Sequence, residues 1–388
     1  MGDGVMSRRK LIASAILLVF CTFVVTTAGF LYVLKVHTGD VLSSLQFFRA
    51  VQVVESKYVE DVPLDKLMAG AIKGMVESLG DPHSLYMDAK MFKEFMIETE
   101  GSFGGVGIVV GVKDKKLLVI SPIEGTPGEQ SGIKSGDQIV GIDGQPTKDM
   151  PLDGAVSKIR GPEGTTVVLS IKRGNEEPKD YSLVRSNIQI RTVSSKMLPN
   201  QIGYIRISMF NENTGSDFNK QYQELENQGM KAVVLDLRDD PGGLLEECVK
   251  VANRFVPQGP IVSVVTRDGK RETHTSNLPA VKYPVAVLVN GGSASASEIV
   301  AGAIQDTQAG TLIGTKTYGK GSVQTLVRLD GSTAIKLTIA KYLTPNDRSI
   351  NGIGIEPDIV LDAPPPKDQA SDIQLQKAIE VVSGKLKQ

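Results

Sequence analysis

The chain has no tryptophan, only two cysteines and only three histidines in 388 residues. No pair of these side chains stands at metal-ligand spacing, so the sequence does not indicate a metal. It also lacks the Gly-x-x-x-x-Gly-Lys-Ser/Thr phosphate loop, and therefore predicts no nucleotide. A formal charge of −1 excludes the basic surplus that is typical of nucleic-acid-binding proteins. We therefore expect a protein with no cofactor and no nucleic-acid partner.

The two cysteines are not placed to form a disulfide framework. Cys21 lies in an apolar N-terminal segment, and Cys248 lies in a predicted helix, where it fits a small buried apolar side chain. A chain of this length can form two or three domains with large cores, and it needs no disulfides outside the cytoplasm.

The stretch Leu11–Leu34 contains no charged residue. As a helix it would span roughly 36 Å, which is enough to cross a bilayer. Basic residues at 8–10 precede it, and the positive-inside bias then puts residues 1–10 in the cytoplasm and the rest of the chain outside. We expect a single-pass anchor in the cell membrane. The alternative is a cleaved signal peptide, with a cut near Thr26-Thr27-Ala28.

Composition and periodicity divide the remainder of the chain. The predicted segments are an N-terminal helical region at 40–98, a β-rich module at 99–187, an α/β core at 188–362, and a linker with a C-terminal helix at 363–388. Apolar stripes on the N-terminal helices and on the C-terminal helix fit core packing or contacts with a second copy. A homodimer through these helices is therefore a candidate assembly.

A cluster of serines, Gly292-Ser293-Ala294-Ser295-Ala296-Ser297-Glu298, lies between a predicted buried strand and a predicted helix. Such a turn exposes a side chain at the positive end of a helix and leaves the N–H of Ala296 free for an oxyanion. Further along, a Gly-Lys-Gly turn presents Lys320. A lysine can activate a serine only as a neutral amine, which requires a water-poor site. From the residues alone, Ser293 and Ser297 remain alternatives to Ser295.

Together, the Gly-Ser-Ala-Ser-Ala-Ser-Glu run and the later Tyr-Gly-Lys-Gly-Ser-Val-Gln run resemble the carboxyl-terminal processing proteases, also called tail-specific proteases. The resemblance extends over nearly all of the chain after the anchor, and it implies a serine endopeptidase with a Ser–Lys dyad and a PDZ module. It implies that Ser295 is the nucleophile, that Lys320 is the general base and that Gln324 hydrogen-bonds and orients the lysine. Asp306 matches an acidic position of the family, which implies a supporting role.

A second glycine-rich turn, Asp239-Asp240-Pro241-Gly242-Gly243, follows a predicted buried strand and opens a helix. Its backbone N–H groups suit an oxyanion hole, so Gly242 and Gly243 join Ala296 as candidate donors. The family carries Asn where this chain has Asp240. The resemblance therefore implies no donor role for that side chain, and the backbone argument stands by itself.

Within the β-rich module, Gly105-Val106-Gly107-Ile108 falls where PDZ domains bind a terminal carboxylate. Consecutive N–H groups there would capture the carboxylate while the peptide adds as a strand. Arg160, at the end of a predicted helix, is a candidate sensor that contacts the core or bound peptide; the alternative is a solvated cation at a helix C-terminus. His83, in a turn-rich stretch that also resembles the family, is expected to be structural.

The predicted fold is thus an α/β peptidase core, a mixed sheet with helices, with an inserted β-rich PDZ domain, an N-terminal helical region and one transmembrane helix. The predicted function is that of a membrane-anchored serine endopeptidase acting on proteins with free apolar C-termini. A non-catalytic PDZ-containing adaptor that binds protein tails is the alternative.

Overall fold

The structure, a computed structural model, describes residues 8–33, 38–364 and 371–387. The last residue of the predicted anchor, Leu34, and most of the predicted proline-rich linker lie outside these ranges. The chain divides between Gly80 and Asp81 into two units. Each unit is described by itself below.

The first unit is helical, with α1 at Arg8–Val33, α2 at Thr38–Lys57 and α3 at Leu64–Glu77. Within α1, residues Ile12–Phe30 have a mean hydropathy of 2.2, and in the described part of the chain this is the helix long and apolar enough to cross a membrane. The third helix begins directly after Pro63, as the sequence predicts, because the fixed φ of proline suits a helix start.

The second unit combines helices and sheets. Its helices are α4 Ala89–Glu100, α5 Pro127–Gln130, α6 Leu152–Ile159, α7 Thr214–Asn227, α8 Leu245–Ala252, α9 Ala296–Asp306 and α10 Ile373–Lys385. Its strands are β1 Leu85–Met87, β2 Ser102–Gly105, β3 Ile108–Lys113, β4 Lys116–Pro122, β5 Gln138–Ile142, β6 Gln145–Pro146, β7 Thr166–Lys172, β8 Lys179–Val184, β9 Ser186–Gln189, β10 Val193–Leu198, β11 Ile202–Ile207, β12 Ala232–Asp236, β13 Gly259–Thr266, β14 Arg271–Ser276, β15 Val285–Val289, β16 Thr311–Gly314, β17 Ser322–Arg328, β18 Ala334–Leu343 and β19 Ile359–Val360.

The β-rich module is an antiparallel sheet in the order β3-β4-β5-β7-β8, with β6 paired to β5. Ile139, Val167 and Leu169 lie fully buried in its core, to which α6 contributes Ala155 and Ile159. Strands β2 and β9 pair with each other where the chain enters and leaves the module. The module is therefore an insertion closed at its base by a two-stranded ribbon.

The core sheet of the second unit has the order β10-β11-β12-β15-β16-β19, and every pair after the antiparallel β10–β11 is parallel. Side chains on β12 and β15 alternate between a face covered by α7, α8 and α9 and a face covered by α10. Both strands are buried on both faces, which explains why each is an unbroken apolar run in the sequence. Their carboxyl ends lead into the glycine turn and the serine cluster.

A second sheet pairs strands in the order β1-β18-β13-β14, with β17 also paired to β18. The Gly-Lys-Gly turn leads directly into β17, so Gln324 lies on a strand that the sequence did not predict. Its partner in the ladder is Thr338 on β18, next to a register shift between Val323 and Gln324.

Two of the predicted boundaries, those of a strand at Val106–Val110 and of a helix at Ala294–Gln305, differ from the structure. The strand predicted from Val106 begins at Ile108, because Gly107 adopts φ +68°. Helix α9 begins at Ala296 rather than two residues earlier, because Ser295 is not helical. The apolar face of α10 packs Leu375 and its neighbours Ala378 and Val382 against the core sheet, so this face is used within the chain and is not open to a second copy.

Candidate active site

Ser295 occupies the turn between β15 and α9 in a strained backbone conformation. Its φ of 55° and ψ of −112° lie in a region that L-residues rarely adopt. The residue is half-buried and directly precedes the first turn of the helix. The strained turn holds its side chain at the positive end of α9.

The structure distinguishes the three serines of the cluster. Ser293 is fully buried: its Oγ donates to the carbonyl of Leu237 at 2.7 Å and accepts the N–H of Asn290 at 3.0 Å. Ser297 is also fully buried, and its Oγ donates to the carbonyl of Asp240 at 3.0 Å. Both hydroxyls have structural partners. Of the three, Ser295 is the residue that is only half-buried.

Glu298 forms hydrogen bonds both to the turn that carries Ser295 and to the turn that carries Lys320. Its carboxylate is fully buried and accepts the main-chain N–H of Ser295 at 2.9 Å, of Lys320 at 2.8 Å and of Gly319 at 2.7 Å. It also accepts the hydroxyl of Thr317 at 2.6 Å. Its position in the first turn of α9 adds the favourable field of the helix N-terminus. One carboxylate therefore fixes the backbones that carry both predicted catalytic side chains.

Tyr342, on β18, makes the complementary contact with the two carbonyls. Its buried hydroxyl contacts the main-chain oxygen of Ser295 at 3.1 Å and also that of Lys320. Burial raises the pKa of this phenol well above its ordinary value, so the group stays a neutral donor. The N–H groups of the two residues are held from one side by Glu298, and their carbonyls are held by Tyr342.

Lys320 is half-buried. Burial is the main cause that lowers the pKa of its ammonium group, the positive charge of Lys336 lowers it further, and the carboxylates of Glu298 and Asp81 act in the opposite direction. A lower pKa increases the fraction of neutral amine, the form that can accept a proton. Among the hydrogen bonds of the described residues, none joins Ser295 Oγ to Lys320 Nζ; in unliganded sites such contacts often form only with substrate.

A chain of hydrogen bonds leads from a turn before β1 to Gln324. The Asp81 carboxylate accepts the hydroxyl of Ser84 at 2.6 Å, and that hydroxyl accepts the N–H of Thr338 at 3.0 Å. The amide of Gln324 donates to Thr338 Oγ1 at 3.1 Å and to Ser322 Oγ at 2.8 Å. The expected bond from Gln324 to Lys320 does not occur within the described part of the chain. Gln324 instead joins this network.

The turn before β1 also brings His83 near the lysine. Burial is the main cause that lowers the pKa of His83, and the charge of Lys320 is the next. No local pattern predicts this proximity, since His83 lies far from the serine cluster along the chain. The structural role expected for this histidine stays a prediction.

The glycine turn after β12 packs directly against Ser295. A Cβ placed on Gly242 would lie 2.8 Å from Ser295 Cβ and 2.8 Å from the nitrogen of Ala296. The N–H of Gly242 is already engaged by Asp240 Oδ1 at 2.9 Å. The N–H groups of Gly243 and Ala296 have no acceptor among the described residues. Of the three predicted oxyanion donors, these two are therefore available.

Asp306 lies at the opposite end of α9 from Ser295, at a helix distance of roughly 16 Å. Its carboxylate accepts the N–H of Asn346 at 2.9 Å and forms an ion pair with Arg348. The structure therefore does not bring Asp306 to the nucleophile, and its contacts hold the loop after β18.

In the β-rich module, the loop at 105–108 that is predicted to bind a carboxylate uses its carbonyl groups in hydrogen bonds. The carbonyl of Val106 accepts the N–H of Gly128 at 2.8 Å, and the carbonyl of Gly107 accepts that of Ile123 at 2.8 Å. No acceptor for the N–H of Val106 or Gly107 occurs in the ranges that the structure describes. The flanking residues Gly105 and Ile108 belong to β2 and β3.

Arg160 ends α6 and lies over the ring of Phe103, with its guanidinium carbon 4.2 Å from the ring centroid. Phe103 is on β2, the strand that enters the module. The guanidinium thus makes a cation–π contact at the base of the module rather than being only solvated. A sensor role for Arg160 remains a prediction.

Three protein-family models match the chain. The chain matches the model of peptidase family S41 at residues 201–361, that of the PDZ domain at 94–172 and that of the activating protease CtpB N-terminal domain at 38–91. A solved structure assigned to the S41 proteases, from Bacteroides fragilis, is similar in fold, with a TM-score of 0.50, 17% identity and coverage of 81% of this chain and 90% of that one. The matched family models thus define a serine peptidase of family S41 with a PDZ domain.

Curated relatives narrow the assignment. The chain is 42% identical to a carboxy-terminal-processing protease of Bartonella bacilliformis, over 83% of this chain and 76% of the relative. It is 40% identical to the carboxy-terminal processing protease CtpA of Bacillus subtilis, over 81% of this chain and 68% of the relative, and 38% identical to CtpB of the same organism, over 86% and 70%. The chain belongs to the carboxy-terminal processing proteases.

Sequence reasoning missed two residues that hold the site together. Glu298 stands three positions after Ser295, the spacing of a capping box, and this signal could have identified it. Tyr342 contacts the site through strand pairing between distant segments, for which the sequence has no local signal.

Proposed function

We propose that Ser295 is the nucleophile and Lys320 the general base of this protease. The observation that carries the proposal is the clamp by Glu298, which holds the two backbones together at a site where burial lowers the pKa of the lysine. The accessibility of Ser295 compared with its two buried neighbours supports the same assignment.

In this mechanism Ser295 Oγ attacks the scissile carbonyl while the neutral amine of Lys320 takes the hydroxyl proton. The developing oxyanion is stabilised by the N–H groups of Gly243 and Ala296. The lysine then gives the proton to the leaving amine. In deacylation the lysine takes a proton from water, whose oxygen attacks the acyl carbon, and it returns the proton to Ser295 Oγ as the bond from that oxygen to the acyl carbon breaks. The strained turn at Ser295 keeps the nucleophile in place through both steps.

We further propose that the PDZ domain binds the C-terminal tails of substrates. The open N–H groups of Val106 and Gly107 suit a terminal carboxylate, and the edge of β3 suits strand addition. Val109 and Val112 on β3 are 44% and 53% exposed, which favours an apolar tail.

We also propose that α1 anchors the protease in the cell membrane, with the catalytic part on the extracytoplasmic side. The length and hydropathy of α1 support the anchor, and the basic residues that precede it support the orientation. Intact mass of the mature protein, together with extraction at alkaline pH, separates an anchor from a cleaved signal peptide.

The test of the proposed chemistry uses the full chain in detergent and an unfolded reporter protein with an apolar C-terminus. Ser295→Ala and Lys320→Ala are each expected to abolish cleavage. Matched substitutions at exposed sites, Ser182→Ala and Lys341→Ala, are expected to leave it unchanged. Cleavage retained by Lys320→Ala would reject the dyad. A reporter that the wild type binds but never cuts would favour the adaptor.

A further inference from the structure

The carboxyl group of Asp240 is buried with a hydrogen-bond donor to only one of its two oxygens, among the residues that the structure describes. The residue is fully buried, Oδ1 accepts the N–H of Gly242 at 2.9 Å, and Oδ2 has no hydrogen-bond partner within the described part of the chain. Buried carboxylates normally have a full set of donors or a paired cation, because the charge is otherwise costly. The charge state of Asp240 is therefore decided by its surroundings.

The groups that face this carboxyl do little to stabilise a negative charge. From β11, Arg206 is the nearby cation, but its guanidinium is shared with Asp236 and Asp239 at 3.8 and 3.9 Å. From α8 comes the buried thiol of Cys248, and from α9 the hydroxyl of Ser297. Burial raises the pKa of Asp240 to about 7, while Gly242, Ser297 and Arg206 oppose that rise.

The position of Asp240 couples it to the reacting atoms. Its main-chain oxygen accepts the N–H of Ala294 at 3.0 Å and the hydroxyl of Ser297 at 3.0 Å, so its backbone is fixed to the serine turn. Its side chain holds Gly242, the residue that packs on Ser295. The carboxyl is thus one hydrogen bond away from Gly242, the glycine that packs against Ser295 and the nitrogen of Ala296, beside the place where the oxyanion would form.

We propose that Asp240 is a positioning residue for oxyanion binding that works as a neutral acid. The uncharged carboxyl fastens the Gly242–Gly243 turn beside Ser295. Loss of its proton to solvent places a negative charge next to the developing oxyanion and slows acylation. This inference rests on the proposed roles of Ser295 and its oxyanion donors.

As pH rises, the ionisations of Lys320 and Asp240 should then have opposite effects on kcat. Deprotonation of Lys320 supplies the base, whereas ionisation of Asp240 weakens the oxyanion site. An amide at position 240 keeps the acceptor for Gly242 and cannot ionise. Asp240→Asn should therefore retain the gain from the neutral lysine and escape the loss from the carboxylate.

The experiment compares kcat and KM of the full-length wild type and Asp240→Asn from pH 5.5 to 9.5 on the unfolded reporter. The ratio of variant to wild-type kcat should be near one at pH 5.5 and rise to on the order of 10-fold above pH 8, with KM unchanged. Asp239→Asn is the matched control, because the Asp239 side chain is 70% exposed. Its ratio to wild type should stay constant across the range.

A constant ratio for Asp240→Asn, or an effect confined to KM, would overturn the inference. A second readout does not depend on activity: the free energy of unfolding of both proteins against pH. Because the folded pKa of Asp240 is raised from 3.8, the wild type should lose stability relative to Asp240→Asn as pH rises from about 4 to 7. No change in that difference would also overturn it. Full activity of Ser295→Ala would instead overturn the proposed mechanism, and the stability readout would still report on Asp240.

Discussion

The carboxylate of Glu298 accepts the main-chain N–H of Lys320 at 2.8 Å, across 22 positions of the sequence. With its bond to the N–H of Ser295, this contact makes one buried side chain the link between the nucleophile turn and the base turn. The positions of the two side chains proposed to be catalytic thus depend on Glu298, which takes no part in the proposed reaction.

Replacement of Glu298 by Gln should therefore impair both stability and activity. The amide offers one acceptor where the carboxylate satisfies four donors, so buried N–H groups lose partners. We expect the free energy of unfolding to fall by about 3 kcal/mol and kcat/KM to fall by about 100-fold. Denaturant unfolding and the reporter assay measure the two effects. Glu246→Gln, an exposed position on α8, is the matched control, and equal behaviour of the two variants would contradict the clamp.

The buried lysine should limit activity at low pH. Because burial lowers the pKa of Lys320, kcat/KM should rise with pH to a plateau, with an apparent pKa below 10.5. Measurement on Asp240→Asn isolates this limb from the second ionisation. A profile that is flat between about pH 6 and 9 with chemistry rate-limiting would count against a lysine base.

The same burial predicts that the charged form of Lys320 lowers the free energy of unfolding of the wild type. A depressed folded pKa means that the unfolded state binds more protons between the folded pKa and 10.5. The charged lysine therefore destabilises the fold below that window, and the cost fades as pH rises through it. Lys320→Met should be inactive and more stable than the wild type at pH 7. Thermal unfolding with and without the substitution tests this. Lys341→Met, on the exposed side of β18, should change little.

The serines of the cluster should separate into two classes. Ser293→Ala removes a hydroxyl that serves a buried carbonyl and a buried N–H, so the free energy of unfolding should fall by about 2 kcal/mol while the folded enzyme still cleaves. Ser295→Gly removes the nucleophile and also relieves the positive φ, which should raise the free energy of unfolding by about 1 kcal/mol. Chemical denaturation should therefore show a lower free energy of unfolding for Ser293→Ala and a higher one for Ser295→Gly. Only Ser293→Ala should still cleave the reporter.

Tail recognition should depend on the turn at Gly107. A Cβ at this residue would lie 2.2 Å from the side chain of Thr126, and φ is +68°, so Gly107→Ala should distort the loop. We expect the Kd for a labelled peptide with an apolar, free C-terminus to rise by about 10-fold or more, measured by fluorescence anisotropy. The same peptide as a C-terminal amide should bind the wild type weakly. Equal affinity for acid and amide would reject carboxylate recognition.

Much of the fold was predictable because local patterns carry it. The apolar runs at β12 and β15 predicted the central strands. The sequence also predicts a helix at about Leu152–Ile159, and α6 has these ends. Helix α9 was predicted two residues early, since periodicity cannot report a strained residue such as Ser295. Strand β17 was missed because its partner β18 supplies the pairing that defines it.

The candidate site likewise combines features that local sequence patterns predict with features that depend on distant contacts. The order of Ser295 and Lys320 with their glycine-rich surroundings was visible in the sequence, as a resemblance. The choice among the serines required burial and hydrogen bonds, which are three-dimensional. The contacts of Gln324 with Ser322 and Thr338, and the placement of Asp306 far from the nucleophile, depend on strand register and helix direction that no local pattern encodes.

The hydrogen bonds that the side chains of Glu298 and Tyr342 make with positions 295 and 320 all end on peptide groups. Removal of the Ser295 hydroxyl therefore breaks none of these hydrogen bonds. The inactive variant Ser295→Ala should therefore keep the shape of the cleft. It should bind natural substrates without cutting them, so that the bound proteins can be identified by mass spectrometry.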